Sequence, residues 1–239
     1  MQQLLAIETS SEACSVALCV RGEILQRHQL APLKHAELVL PAVRSLLAEA
    51  GLTLGNLDAI AFGRGPGSFT SLRIGIGVVQ GLAWGANLPV VPVSSLAAAA
   101  QTALALEAEA NPGLLGGTPG SHQILVALDA RMGEVFHCGY AVSTEGLVQA
   151  LGPERVSAPA AVNVAAAAWI LAAGNGFERY AELKRLGGTL TRLRPEVLPG
   201  ATAVISLAQH WLRQNGALPA ADAQPVYVRN RVAEKPSKL

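Results

Sequence analysis

The chain has 239 residues, of which 51% are hydrophobic and 15% charged, with 24 glycines and a net charge of +1. Near-neutral charge excludes a strong basic field for nucleic acid. A mean hydropathy of +0.35 fits close packing and a large buried interface in one large domain or two small ones.

Leu4 to Ile7 is a short apolar run ending in the polar turn Glu8-Thr9-Ser10-Ser11. The preceding residues carry no basic region, so a strand is expected there and no signal peptide. Ala13 to Val20 and Ile24 to Leu30 flank an Arg21-Gly22-Glu23 turn and complete an antiparallel meander. Val39, Leu40, Val43, Leu46, Leu47 and Ala50 recur at helical spacing, and Gly51 stops that helix. Leu57 to Phe62 reads as a strand. The loop Arg64-Gly65-Pro66-Gly67-Ser68-Phe69-Thr70 then opens a helix from Thr70 to Ala86. A helix start with Ser, Thr and flanking arginines presents free N–H groups and a positive dipole end, which suits an anion. Gly65, Gly67, Ser68, Thr70, Arg64 and Arg73 are therefore candidates for an anion loop. Arg64 and Arg73 equally suit a carboxylate across an interface.

Inside that helix lie Gly75, Gly77, Gly81 and Gly85. Each costs about 1 kcal/mol relative to Ala, so together they cost roughly 4 kcal/mol that packing or function must offset. Gly77, Gly81 and Gly85 are four apart and share a face. That face serves either tight packing inside the domain or a helix contact with a second protein. The longest apolar stretch, Ile74 to Val93, contains Gln80, Asn87 and Pro89, which argues against a membrane span.

Pro89 to Val93 is a strand, and Ser94 or Ser95 caps a helix to about Ala108. Asn111 to Gly120 is a loop or domain boundary. Ile124 to Leu128 begins a second strand–turn–strand unit through Asp129-Ala130-Arg131-Met132-Gly133-Glu134 to Val135–Val142. Both halves thus open with a strand, an acid at its end and a returning strand, a weak internal repeat. Trp169 to Ala173 is a strand ending in Gly174-Asn175-Gly176, either a plain turn or a place for an adenine. Val204, Leu207, Ala208, Trp211 and Leu212 form a helical stripe ending at Gly216, and Pro225 to Arg229 is extended. Cys14, Cys19 and Cys138 form no CxxC, and their odd number fits reduced thiols in a cytoplasm. None of the five histidines has metal spacing with another. His35, near the first helix start, is expected at the surface or an interface. No G-x-S-x-G or H-E-x-x-H motif supports hydrolase chemistry.

Five segments together resemble one family. They are Ile7-Glu8-Thr9-Ser10, Ala61 to Thr70, Arg73-Ile74-Gly75, Asp129 to Val135 and Pro225-Val226-Tyr227-Val228-Arg229-Asn230. The family is TsaB (YeaZ), the bacterial partner protein in tRNA threonylcarbamoyladenosine modification. The resemblance implies an α/β, actin-like ATPase (ASKHA) fold of two related lobes, each a mixed sheet with flanking helices. Residues 1–110 would form the partner-binding lobe and 121–199 the second lobe; 200–239, a helix and tail, is assigned to neither.

The resemblance also implies a non-catalytic scaffold for a TsaD-like catalytic subunit and a TsaE-like ATPase, with tRNA reached only through the complex. No cofactor is expected on this chain alone, and the complex interface is the candidate place for ATP or ADP. Docking would use the glycine face (Gly77, Gly81, Gly85) and the first helix (His35, Val39, Val43, Leu47). The sister enzyme carries a His-x-x-x-His metal pair where this chain has Ser95 and Ala99, so no metal is expected. Glu8 stands where the family usually has Asp, and Ser71 where it usually has Gly. Acids such as Glu8 and Asp129 face a nucleotide's metal and phosphates in active members of the fold, and Thr9, Ser10, Arg131 and Glu134 join them as candidates for a nucleotide, anion or interface loop. Here the acids are read mainly as structural, capping turns or pairing with Arg64 or Arg131. Arg229, Arg231, Lys235 and Lys238 are candidate tRNA contacts shared with the partner. A stand-alone ATPase or phosphotransferase and a homodimer using the same face are the competing readings.

Overall fold

The computed structural model describes residues 2–111, 122–163, 169–188 and 192–229. The first sheet is built from β1 (Leu4–Glu8), β2 (Ala13–Val20), β3 (Glu23–Leu30), β4 (Ala59–Gly63) and β5 (Val90–Val93). Helix α1 (His35–Ala50) connects β3 to β4, and α2 (Phe69–Ala86) connects β4 to β5. The order is β3-β2-β1-β4-β5, with β1, β2 and β3 antiparallel and β1, β4 and β5 parallel.

After α3 (Ser95–Ala110), the second sheet comprises β6 (Gln123–Arg131), β7 (Glu134–Val142), β8 (Val148–Ala150), β9 (Arg155–Ser157), β10 (Trp169–Ala173) and β11 (Arg192–Arg194). Short helices α4 (Gly176–Arg179) and α5 (Ala181–Lys184) precede β11, and α6 (Ala201–Asn215) follows it. The order is β8-β7-β6-β10-β11, with β9 added on β7. This repeats the first sheet strand for strand, including an antiparallel opening hairpin and two parallel neighbours beside it.

Both faces of the first sheet are covered, which is why Leu4 to Ile7 is a continuous apolar run and not an alternating one. Leu5, Ile7, Val16 and Leu18 face α1 and α2, meeting Val39, Val43, Leu46, Ile76 and Val79. Leu4, Ala6, Ala17 and Cys19 face the other way, against Ala201, Val204, Ile205 and Ala208 of α6. Leu96, Ala100 and Leu104 of α3 instead pack on Ile124, Val126, Phe136 and Tyr140 of the second sheet. Leu125, Ala127 and Val135, on that sheet's far side, meet Phe177 and Leu183.

Helix packing therefore crosses the boundaries expected from chain order. α3, placed in 1–110, completes the second half. α6, assigned to neither lobe, completes the first. Alanine-rich faces allow this, because α3 and α6 touch each other between the two sheets. Residues 112–121 of the expected boundary loop lie outside the described residues. Among the described residues no helix is long and apolar enough to cross a membrane.

Candidate functional site

The turn after β1 is locked onto the loop that opens α2. Glu8 is fully buried, and its carboxylate accepts the Ser10 N–H at 2.6 Å and the Ser95 hydroxyl at 2.8 Å. Ser95 Oγ in turn accepts the Gly65 N–H at 3.2 Å. Burial pushes the Glu8 carboxyl above its ordinary value, and the hydrogen bonds from Ser10 and Ser95 pull against that rise. Bare backbone makes this approach possible. A Cβ at Gly63 would strike the Glu8 carboxylate, one at Gly67 the Ser10 carbonyl, and one at Gly75 the Thr9 hydroxyl. Thr9 cannot swing away freely, since it is buried and its hydroxyl donates to the Ser71 carbonyl at 2.9 Å.

The helix glycines thus divide. Gly75 serves packing inside the chain. Among the described residues, nothing beyond α2's own neighbouring backbone comes within 4 Å of a Cβ added at Gly77, Gly81 or Gly85. These three form an open ridge, with Arg73 continuing its register at one end and Trp84, 69% exposed, beside it.

The neighbouring helix departs from expectation. His35, Val39, Val43 and Leu47 are buried in the chain's own core and present nothing to a partner. Their spacing is that of an amphipathic helix, and the stripe it defines faces β2 and not solvent. His35 Nε2 lies 3.3 Å from the Ala13 carbonyl. Leu40, 43% exposed, is an apolar side chain that α1 does present.

The second hairpin turn carries the other predicted acid. Asp129 accepts the Arg131 N–H at 2.9 Å and the Tyr180 hydroxyl at 2.8 Å. It also pairs with Arg179 at 3.3 Å and Arg131 at 3.5 Å. Arg131 reaches across to Glu12 of the first turn at 2.6 Å, tying the two turns together. Asn175 accepts the Asp129 N–H at 2.8 Å, so the Gly174-Asn175-Gly176 turn supports this site structurally.

The two acids divide the structural roles expected of them: both cap their own turns, and it is Asp129, not Glu8, that pairs with Arg131. Glu8 is capped by its own turn and by Ser95, while Arg64 pairs with Glu154 at 3.4 Å. Glu154 also accepts the Ser94 hydroxyl. Arg73 lies 4.0 Å over the Phe69 ring and donates from Nε to Tyr227 at 3.0 Å. Glu134 pairs with Arg229 at 2.5 Å, and the Arg229 side chain is 17% exposed. Arg231, Lys235 and Lys238 lie outside the described residues.

The two turns and the start of α2 face one another across a cleft of about 480 Å³, whose lining includes Ser10, Thr70, Asp129, Arg131 and Phe136. Sequence reading missed Ser95 as the partner of Glu8, and Arg179, Tyr180 and Glu154 altogether. Each meets its partner only after distant elements pack. Chemically, both acids are engaged by donors of the chain itself, which leaves neither as an unengaged base.

Two copies of one five-strand order, facing each other across a cleft lined by both opening hairpin turns, define an actin-like α/β fold. The sequence model of the TsaD family, tRNA N6-adenosine threonylcarbamoyltransferase, matches residues 27–168. The chain belongs to the TsaB branch of that relationship, the family of the tRNA threonylcarbamoyladenosine biosynthesis protein TsaB. It is 36% identical to the Escherichia coli K12 member over 98% of this chain and 97% of the relative. It is 38% identical to the Haemophilus influenzae member over 97% and 95%. Among solved structures, YeaZ from Pseudomonas aeruginosa matches with a TM-score of 0.79 and 40% identity, covering 95% of this chain and all (100%) of that one. A second Pseudomonas aeruginosa structure, of an uncharacterised protein similar to peptidase YeaZ, matches with a TM-score of 0.82 and 41% identity, covering 96% and 100%.

Proposed function

We propose that this chain takes part in tRNA threonylcarbamoyladenosine biosynthesis as a non-catalytic scaffold. In this reading it docks the TsaD-like catalytic subunit, which installs the threonylcarbamoyl group on adenosine 37 of tRNAs reading ANN codons. The observation that carries it is the open Gly77-Gly81-Gly85 ridge. Three glycines cost about 3 kcal/mol of helix propensity, and among the described residues no side chain fills the space they leave. A helix of another subunit fits that bare surface, with Trp84 beside the ridge and Leu40 of α1 as apolar anchors. The same complex would recruit a TsaE-like ATPase and reach tRNA through shared surfaces. ATP or ADP is assigned to the subunit interface and not to this chain alone, because Glu8 and Asp129 are engaged internally. That engagement also weighs against a stand-alone ATPase.

The test is reconstitution of tRNA modification from purified subunits, with this chain present, omitted, or carrying Gly81→Leu. Gly81→Leu is expected to melt at or above the wild-type temperature and to lose binding of the catalytic subunit and modification together. Unchanged affinity in the folded variant would remove the ridge from the docking surface. Light scattering with and without the catalytic subunit separates a heteromeric contact from a homodimer on the same face.

A further inference from the structure

Residues Val226–Arg229 belong to no sheet, line the cleft, and touch both halves of the molecule. On the first half, the Val226 N–H donates to the Arg64 carbonyl at 2.8 Å. The Tyr227 hydroxyl accepts from Arg73, and its ring stands 5.4 Å from that of Phe69. On the second half, Val228 packs against the core of the second sheet. The Arg229 guanidinium donates to the carbonyls of Ala130 at 3.0 Å and Arg131 at 3.3 Å, pairs with Glu134, and lies 5.9 Å from the Phe136 centroid. Four consecutive residues therefore hold on to the start of α2 with one end and to the β6–β7 turn with the other.

We propose that Val226–Arg229 is a latch that sets the separation of the two halves, and that a subunit docked on α2 acts on it through Arg73. The physical reason is register. Arg73, Gly77, Gly81 and Gly85 follow one another at intervals of four, so they lie along a single line on the helix. A protein seated on the bare part of that line abuts Arg73, whose guanidinium is held by Phe69 and Tyr227. Any displacement of Arg73 changes how Tyr227 is held, and Tyr227 is two residues from the anchor on the second half. Other side-chain ties also cross the molecule, among them the buried Ser95–Glu8 hydrogen bond at 2.8 Å and the Ser94–Glu154 hydrogen bond. Arg131–Glu12 joins side chains that are 59% and 46% exposed, and Arg64–Glu154 spans 3.4 Å. Arg229 makes several charge-assisted bonds from a side chain only 17% exposed, so it is the main anchor of this segment on the second half. The coupling to docking rests on the ridge being the subunit contact; the latch itself does not.

The experiment measures amide exchange by NMR on the full chain, alone and then with the catalytic subunit. In the isolated chain, Arg229→Ala is expected to raise exchange of the Val226 amide, bonded to the first half, at least tenfold. Tyr227→Ala is expected to raise exchange of the Arg131 amide, on the second half, severalfold. Tyr227→Phe, which removes one hydroxyl, should give the same pattern more weakly if the Ala variants are poorly folded, and Arg229→Lys should restore part of the protection. If each substitution loosens only its own side of the cleft, the latch is refuted. With the catalytic subunit bound, wild-type exchange at Val226 is expected to change at least threefold, and Arg229→Ala to shift affinity severalfold. No change in either would refute the coupling. Normal docking by Gly81→Leu would instead refute the ridge contact and leave the isolated-chain result standing.

Discussion

Replacing glycine by alanine on α2 should have opposite effects at positions only two residues apart. At Gly77 and Gly81, both interior to the helix, an added methyl meets nothing among the described residues within 4 Å beyond α2's own neighbouring backbone. Each substitution then recovers the helix-propensity difference of about 1 kcal/mol, or about 2 kcal/mol for the pair. For a chain of this size that raises the melting temperature by about 4–8 °C, at about 2–4 °C per kcal/mol. At Gly75 the same methyl would collide with the Thr9 hydroxyl, which is buried and bonded to Ser71. Overpacking costs about 1–3 kcal/mol, and the severity of this collision places it near about 3 kcal/mol. Less the propensity gain of about 1 kcal/mol, Gly75→Ala should be destabilised by about 2 kcal/mol. Urea and thermal unfolding of the two variants, with binding of the catalytic subunit measured in parallel, check this. The stabilised Gly77→Ala/Gly81→Ala variant is expected to bind the subunit more weakly, because methyl groups hold another backbone away. If it melts below wild type, or if Gly75→Ala is neutral, the division of the glycines into packing and open positions is wrong.

Glu8 gives a pH-dependent prediction. Its ordinary value is 4.5 and burial raises it, so above about pH 4.5 the folded chain retains a proton that the unfolded chain releases. The folded state then binds more protons, and Glu8 makes stability fall as pH rises through this window. Glu8→Gln keeps a neutral hydrogen-bonding side chain and should gain on wild type between pH 4.5 and 7; parallel urea midpoints across that range would refute it. Asp129→Asn removes the ion pairs to Arg131 and Arg179 and weakens the Tyr180 bond. It should cost about 1–3 kcal/mol in urea unfolding, while ATP hydrolysis by the purified chain stays at background before and after the change. Robust hydrolysis lost in Asp129→Asn would restore the stand-alone ATPase reading.

Much of the fold was legible in residue order because its signals are local. Apolar runs marked β1, β2, β3, β4, β5, β6, β7 and β10 to within a few residues, helical spacing marked α1 and α6, and a serine cap and a Gly/Pro loop marked the starts of α3 and α2. The short strands β8, β9 and β11 and the single-turn helices α4 and α5 were missed, since three or four residues carry too little pattern.

The matching acid–turn–strand units at Glu8 and Asp129 disclosed the repeat, because a hairpin's turn and its returning strand lie within a dozen residues. What the chain order could not disclose is which face of an element meets what. Val39, Val43 and Leu47 had the spacing for a partner or for the core, and only β2 lying beneath them decided for the core. Gly75 and Gly77 sit two residues apart, each between β-branched aliphatic neighbours. One is pressed by Thr9, more than sixty positions away, and the other is open. Likewise Glu8 found Ser95 and not an arginine, and α6 left the half it follows to cover the half that begins the chain. Local sequence sets dihedral preference and amphipathic period, whereas contact partners depend on how elements far apart in the chain close over one another, and that is settled only when both sheets bury their faces together.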